Sequence, residues 1–344
     1  MRNAGTLTMA LLLAAGGATG QSSRAPGATL LTRYLDWADI HPPARVGRLE
    51  VFPIALSRAV EPLSGVLTMQ QALGRGVLAI EELGSAAVER ARFVNKSRSR
   101  MIFLMAGEII TGGKQNRTLR SDALLAPGTS AVLPLYCVQK GRWRGGQQFD
   151  GAPTVVPQGV RERAAAKAGQ DAIWSEVARA NRRLKSSSAT EDLYAAMAKP
   201  ENVRRLAGLR EQIAPKLHRN CVGIVVAAGG RIVGADLFNS AELFAGLRDK
   251  VLNAYLSDYG WPVPVRRARM PAPGRVTAEQ IREYLRGCYR SRFVSGEMHG
   301  AGRIYYLRGT RSGQTLGYEA RAMVHTSLMS PQVVPVRPLP VPRR

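Results

Sequence analysis

Cysteine is scarce in this 344-residue chain: Cys137, Cys221 and Cys288 stand far apart, and no Cys-x-x-Cys pair can be written. That removes the usual zinc and dithiol-redox signatures. The three fit either one disulfide with a leftover thiol or three buried thiols packing as small hydrophobes. Histidine is equally sparse, and His41, His218, His299 and His325 form no motif. No metal and no cofactor is therefore expected. The Gly-x-x-x-x-Gly-Lys-Ser/Thr phosphate loop is missing, as are zinc-finger spacings and the aromatic strand of RNA-binding domains, so the chain carries no specific nucleic-acid motif. There is no internal repeat, and nothing in the pattern sets an oligomeric state.

Long apolar runs are also absent beyond a short one at the N-terminus. There Arg2 precedes Leu7 and Met9 to Ala15, and small residues follow to Ala18-Thr19-Gly20. This order reads as a signal peptide over residues 1–20. It is too short for the roughly 20 residues that cross a bilayer, so the mature protein is expected to be exported, periplasmic or extracellular, with no transmembrane span. Residues 21–44, rich in Ser, Gly, Ala and Pro at their start, read as a flexible leader. The Pro/Arg-rich residues 329–344 cannot bury enough apolar surface to fold and read as a disordered tail.

Acidic residues are outnumbered: 25 Asp plus Glu stand against 49 Lys plus Arg, for a net charge of +24 spread along the whole chain. Such a surface attracts anions, whether small molecules or polymers. With 45% hydrophobic residues the chain has material for a sizeable core. Residues 45–328 read as a single α+β domain: a β-rich N-terminal layer, a helical middle, and a C-terminal hairpin and helix. Strands are predicted over 46–56, 77–83, 91–96, 101–108 and 130–137, with a short helix after Thr68. A loop over 145–159 leads into helices over 171–184, 191–198 and 201–213. The pair Gly229-Gly230 joins two apolar strands, and Asn239 with Glu242 predicts a capped helix. A helix over 278–286 and strands over 303–307 and 316–327 follow.

One stretch stands out for chemistry. An apolar strand ends in Gly107-Glu108, and Lys114, Gln115, Asn116 and Arg117 follow a Gly112-Gly113 turn. Glycines admit close backbone approach, and the cations and amides supply donors, so the loop is a candidate cradle for an anion or a carbonyl. Some twenty residues on, Cys137 precedes Lys140, Arg142 and Trp143. Nearby cations would favour its thiolate, and Trp143 could stack on a ring. Glu108 and Cys137 are the weak catalytic candidates; Lys114, Gln115, Asn116, Arg117, Arg142 and Trp143 are the ligand-binding ones. The loops are expected to fold together into one pocket with Glu108 at its floor.

These residues carry a resemblance. Gly107-Glu108, the Lys-Gln-Asn-Arg run 114–117, Cys137-Val138 with Gly141-Arg142-Trp143, Trp174 on a helix, and Gly230 to Gly234 resemble the bacterial ARG and rhodanese-phosphatase-superfamily-associated protein domain from about residue 45 to 328. The resemblance implies a genomic association with ADP-ribosylglycohydrolases and rhodanese-phosphatase-like proteins, not a reaction. Gln139 stands where the family pattern has an acidic residue, and a signal peptide sits oddly with mainly cytoplasmic ADP-ribose substrates. The expected function is a binding module for an anionic or nucleotide-like, ADP-ribose-related ligand. The alternatives are an enzyme acting on ADP-ribose-like or phosphoester bonds, and a structural envelope interaction protein.

Overall fold

The computed structural model describes residues 26–58, 60–84, 88–186, 188–261 and 274–330. The apolar N-terminal run and the Pro/Arg-rich residues beyond Ser330 lie outside them.

The chain enters as a helix, α1 (Pro26–Asp36), where a flexible leader is expected from composition. Its Leu31, Tyr34 and Leu35 recur at helical spacing and are buried, and the Tyr34 hydroxyl donates to the Phe238 carbonyl at 2.6 Å. Apolar contacts override the local Gly/Ala/Ser bias. Tyr34→Phe is expected to cost about 1–2 kcal/mol by leaving that buried carbonyl unpaired. Thermal unfolding that shows no loss would mean that α1 is not part of the fold.

Strands β1 (Ala38–Ile40), β2 (Ala44–Val46) and β3 (Leu49–Leu56) follow, then β4 (Leu67–Thr68) and helix α2 (Met69–Gly74). The Thr68 hydroxyl accepts from Gln71 N, and the Gln71 side chain returns to Thr68 N, a capping box that starts α2 where the sequence places it. Next come β5 (Leu78–Glu82), β6 (Arg90–Asn95), β7 (Ile102–Leu104), β8 (Glu108–Gly112), β9 (Arg117–Leu119), β10 (Ala123–Leu125), β11 (Ser130–Cys137) and β12 (Phe149–Val155). The single strand expected over 101–108 is thus broken in two. Gly107 makes the corner at φ +90°, and a Cβ there would come within 2.9 Å of the Arg161 side chain. β12 occupies a stretch expected as loop, because Pro153 and Gly151 argue against strand; it lies at the end of its sheet, with a register break between Gly151 and Val155 that admits both.

The helical middle comprises α3 (Gln158–Ala165), α4 (Gln170–Arg183), α5 (Leu193–Met197) and α6 (Pro200–Ile213). The Gly229-Gly230 turn joins β13 (Gly223–Ala228) to β14 (Arg231–Phe238) as expected, with both glycines at positive φ. Helix α7 (Ala241–Tyr259) is capped by Ser240, whose hydroxyl accepts from Leu243 N, and not by Asn239. The Asn239 amide instead takes Leu63 N at 2.7 Å and donates to the Met323 carbonyl, a long-range tie no local rule foresees. Helix α8 (Ala278–Arg286) precedes β15 (Arg292–His299), β16 (Gly302–Arg308), β17 (Ser312–Tyr318) and β18 (Ala322–Met329). β15 is an edge strand too exposed to show an apolar alternation.

Two large antiparallel sheets result, so the fold is α+β. The first orders its strands β1-β3-β13-β14-β18-β17-β16-β15, with β2 also on β3. Alternate residues of β13 serve opposite faces: Ile224 and Val226 meet α7, while Val225 and Ala227 meet α1 and α8. The second runs β12-β8-β9-β11-β6-β5, and Glu81 bridges Gln148 just before β12, so the sheet curls back on itself. Its interior holds Ile80, Phe93, Ile110, Leu119, Leu135 and Phe149, with Met69 and Ala72 of α2 among them. Helices α3, α4 and α5 cover its outer side through Val160, Ile173 and Leu193. One apolar cluster contains Val155 of the second sheet, α7 and Ile224 of the first, which joins the two.

Candidate functional site

The donor-rich loop does fold against Arg142, as expected. The Arg142 guanidinium donates to the Gly112 carbonyl at 3.0 Å, the Gly113 carbonyl at 3.1 Å, Asn116 Oδ1 at 3.2 Å and Gln139 Oε1 at 2.7 Å. Its fork is therefore committed to protein acceptors. Asn116 donates to both Asp192 oxygens, at 3.1 and 3.0 Å. Arg117 is fully buried, pairs with Glu82 Oε1 at 2.6 Å, and stacks over the Phe149 ring with 4.9 Å to its centroid. Gln115 is buried as well, Lys114 N donates to Glu82 Oε1, and Trp143 is 57% exposed. Together these contacts knit the rim of the curled sheet.

Glu108 is not the floor of that cluster. It sits at the opposite end of β8 from the loop, where Oε1 meets Lys250 Nζ of α7 at 2.5 Å and Oε2 accepts Met105 N at 2.8 Å. A carboxylate at a corner between strand and helix finds its cation on α7, which the sequence places 142 residues away. Cys137 is buried, with its backbone held by Gln170, and burial pushes its thiol above the usual range despite Arg117 nearby. All three cysteines are free.

The most organised polar group lies between the sheets and was not singled out from sequence. Asp236 on β14 receives Arg161 Nη2 at 2.5 Å and Nη1 at 3.0 Å, the Tyr255 hydroxyl at 2.8 Å and His325 Nε2 at 3.1 Å. His325, on neighbouring β18, passes the chain to Asp122 Oδ2 at 2.8 Å, and Asp122 Oδ1 accepts Ala106 N at 2.7 Å. Arg161 also donates to Gln158 Oε1 and Ser327 Oγ. The β14–β18 register sets Asp236 opposite Ser327 and Phe238 opposite His325, and the Phe238 and His325 rings stack 4.3 Å apart. Arg161, Asp122, Asp236 and His325 are all buried, with two acids balanced by two cations. Burial alone would lower the His325 pKa, but Asp122 and Asp236 raise it to about 9. Burial would raise that of Asp236, yet Arg161 and His325 hold it well below the carboxylate range. The one local hint is a charged residue inside an apolar strand, Val233-Gly234-Ala235-Asp236-Leu237-Phe238.

From this chain Gln158 reaches outward, donating to Met329 Sδ at 2.9 Å. Met329 and Gly159 line a pocket of about 250 Å³ between α3, α4 and the β16–β17 turn. Arg163, Arg179, Arg308, Tyr306 and Ser312 also line it. Arg179 pairs with Glu176 at 2.5 Å, whereas Arg163 and Arg308 are exposed and have no ion pair among the described residues.

Fold and site thus define an α+β protein of two large antiparallel sheets and a small third one, β10-β7-β4, clasping a buried Arg-Asp-His-Asp chain beneath an arginine-lined pocket. The chain belongs to the ARG and Rhodanese-Phosphatase-superfamily-associated Protein domain family, whose model matches residues 38–329. No curated protein and no solved structure matches it.

Proposed function

We propose that the protein binds an anionic small molecule, nucleotide-like compounds included, in the pocket between α3, α4 and the β16–β17 turn, and does not transform it. The observation that carries this reading is the set of three arginines, Arg163, Arg179 and Arg308, that line the pocket beside two glutamates, Glu162 and Glu176, with Arg163 and Arg308 in no ion pair among the described residues. Gathered cations repel one another unless an anion offsets them, which favours a ligand at this place. The net charge of +24 would draw that ligand in. Neither Glu108 nor Cys137 lines the pocket; of the two carboxylates that do, Glu176 is held by Arg179, and Glu162 stands beside Arg163 with no histidine or cysteine in the lining to act with it.

The test is a thermal-shift screen against ADP-ribose, nucleotides and acidic glycans, repeated on the Arg163→Ala/Arg308→Ala variant. A ligand at 100 times its Kd adds about 2.7 kcal/mol of stability to the parent. For at least one of these anions the double variant is expected to lose this shift while its unliganded stability stays within about 0.5 kcal/mol, since both side chains are exposed. A shift undiminished for every compound that binds would move the site elsewhere, and release of a product from the bound compound would make the protein an enzyme.

A further inference from the structure

At the far end of β17 from that pocket, a second cavity of about 350 Å³ opens between α1, residues 60–63 and the β17–β18 turn. Its volume falls in the range of small-molecule sites. Trp37 and Tyr318 line it, Leu63 and Met323 add apolar surface, and two cations, Arg33 and Arg321, stand against two acids, Glu61 and Glu319. Arg33 is exposed and has no ion pair among the described residues.

The walls are fixed in advance. Asn239 ties Leu63 N to the Met323 carbonyl, so residues 60–63 are held against β18. Ser57 donates to the Trp37 carbonyl from both its backbone and its hydroxyl. Tyr34, beneath, is pinned to Phe238. Such ties keep an aromatic surface in place without help from its ligand.

The turn supplies an independent sign. Glu319 and Ala320 both lie in the left-handed region, at φ 48° and 53°. The three-residue loop Glu319–Arg321 thus opens with two residues of a twist that suits Asn-Gly, and side chains there are strained. Strain of this kind persists where a side chain is needed at that place. Glu319 meets the need: its carboxylate lines the cavity with Arg321 4.0 Å away, and its closeness raises the pKa of the neighbouring Tyr318.

We propose that this cavity is a second binding site, distinct from the arginine pocket, for a hydroxyl- or amino-bearing aromatic anion. The ring lies on Trp37 and Tyr318, Glu319 accepts from the ring's donor group, and Arg33 meets the negative substituent. A purine nucleotide and a hydroxyaromatic acid share this chemistry.

The test uses the full chain titrated with adenosine monophosphate, adenosine and hydroxybenzoate, followed by calorimetry and tryptophan fluorescence. At least one of the two anions is expected to bind saturably, and which one does separates the two sources. Trp37→Leu should weaken that binding by about tenfold or more and remove the quenching. Arg33→Ala, an exposed change that leaves folding intact, should weaken the anions about tenfold and leave adenosine as it was. Glu319→Asn should raise the melting temperature by relaxing the turn while weakening binding. The Arg163→Ala/Arg308→Ala variant should bind here as the parent does, so the two sites stand or fall separately. No saturable binding of either anion, or binding untouched by Arg33→Ala and Trp37→Leu, would overturn the proposal.

Discussion

Replacing Asp236 with asparagine is expected to lower the melting temperature by on the order of 6–10 °C. Asp236 is fully buried and accepts from Arg161, Tyr255 and His325 at once. The amide keeps the shape but removes the charge that offsets Arg161, and its nitrogen cannot accept. Breaking a buried pair in this way costs about 3–5 kcal/mol, because the partner is left charged and out of water. Near the unfolding midpoint of a chain this long, each kcal/mol is worth ~2 °C. Asp249→Asn is the control: its carboxylate is 59% exposed and meets Arg248 and Arg210 in solvent, so a loss within about 0.5 kcal/mol is expected. Differential scanning calorimetry decides between them. An unchanged or raised melting temperature for Asp236→Asn would show that Asp236 is held there at a cost to stability, as a reactive acid would be.

Stability should also fall between about pH 6.5 and 9, by on the order of 3 kcal/mol, through His325. Its folded pKa is about 9 against a reference of 6.5, so the folded state holds the proton more tightly. That contribution is complete below the reference value and is lost as pH rises through 9. Asp236 runs the other way: its pKa is depressed below the reference 3.8, so its contribution is present above that value and lost on acidification. The two together place maximal stability between about pH 4 and 6.5. Burial pushes the thiols of Cys221 and Cys288 up to about 11 and about 12, and they erode stability only above the reference value of 9. Melting temperatures measured at constant ionic strength from pH 5 to 9 give the slope, and His325→Gln should flatten it. If the variant kept the parent's slope, the titrating group would be another one.

Export, expected from the first twenty residues, concerns a part of the chain outside the described structure. Within the structure, what the sequence makes legible is local. The Thr68 capping box, the strand Ser130–Cys137 and the Gly229-Gly230 hairpin stand where their residues imply, because each depends on hydrogen bonds and φ angles settled within a few positions. Proximity of Lys114–Arg117 to Arg142 was legible too, as two unusual loops on one sheet.

Misreadings share one cause. The leader became α1 because Leu31 and Tyr34 found a core made by Phe52 and Ile54 together with residues of 222–328. The β17–β18 turn was invisible because Glu319-Ala320 adopts a conformation that local rules reserve for glycine and asparagine.

Residue types and their local spacing were enough for the α+β class, the excess of basic charge, the absence of cysteine and histidine motifs, the helices α2 and α4 to α8, and the Gly229-Gly230 hairpin. What the charged residues do was settled by packing. Arg117 and Arg142 look like free donors in the chain, yet one lies beneath Phe149 and the other is filled by carbonyls. Asp236, Arg161 and His325 look like scattered polar residues, 75 and 89 positions apart, yet they form one buried chain. The reason is that propensity and capping act over a few residues, whereas the state of a charge is set by desolvation and by its partner. Both are fixed only when distant strands pack.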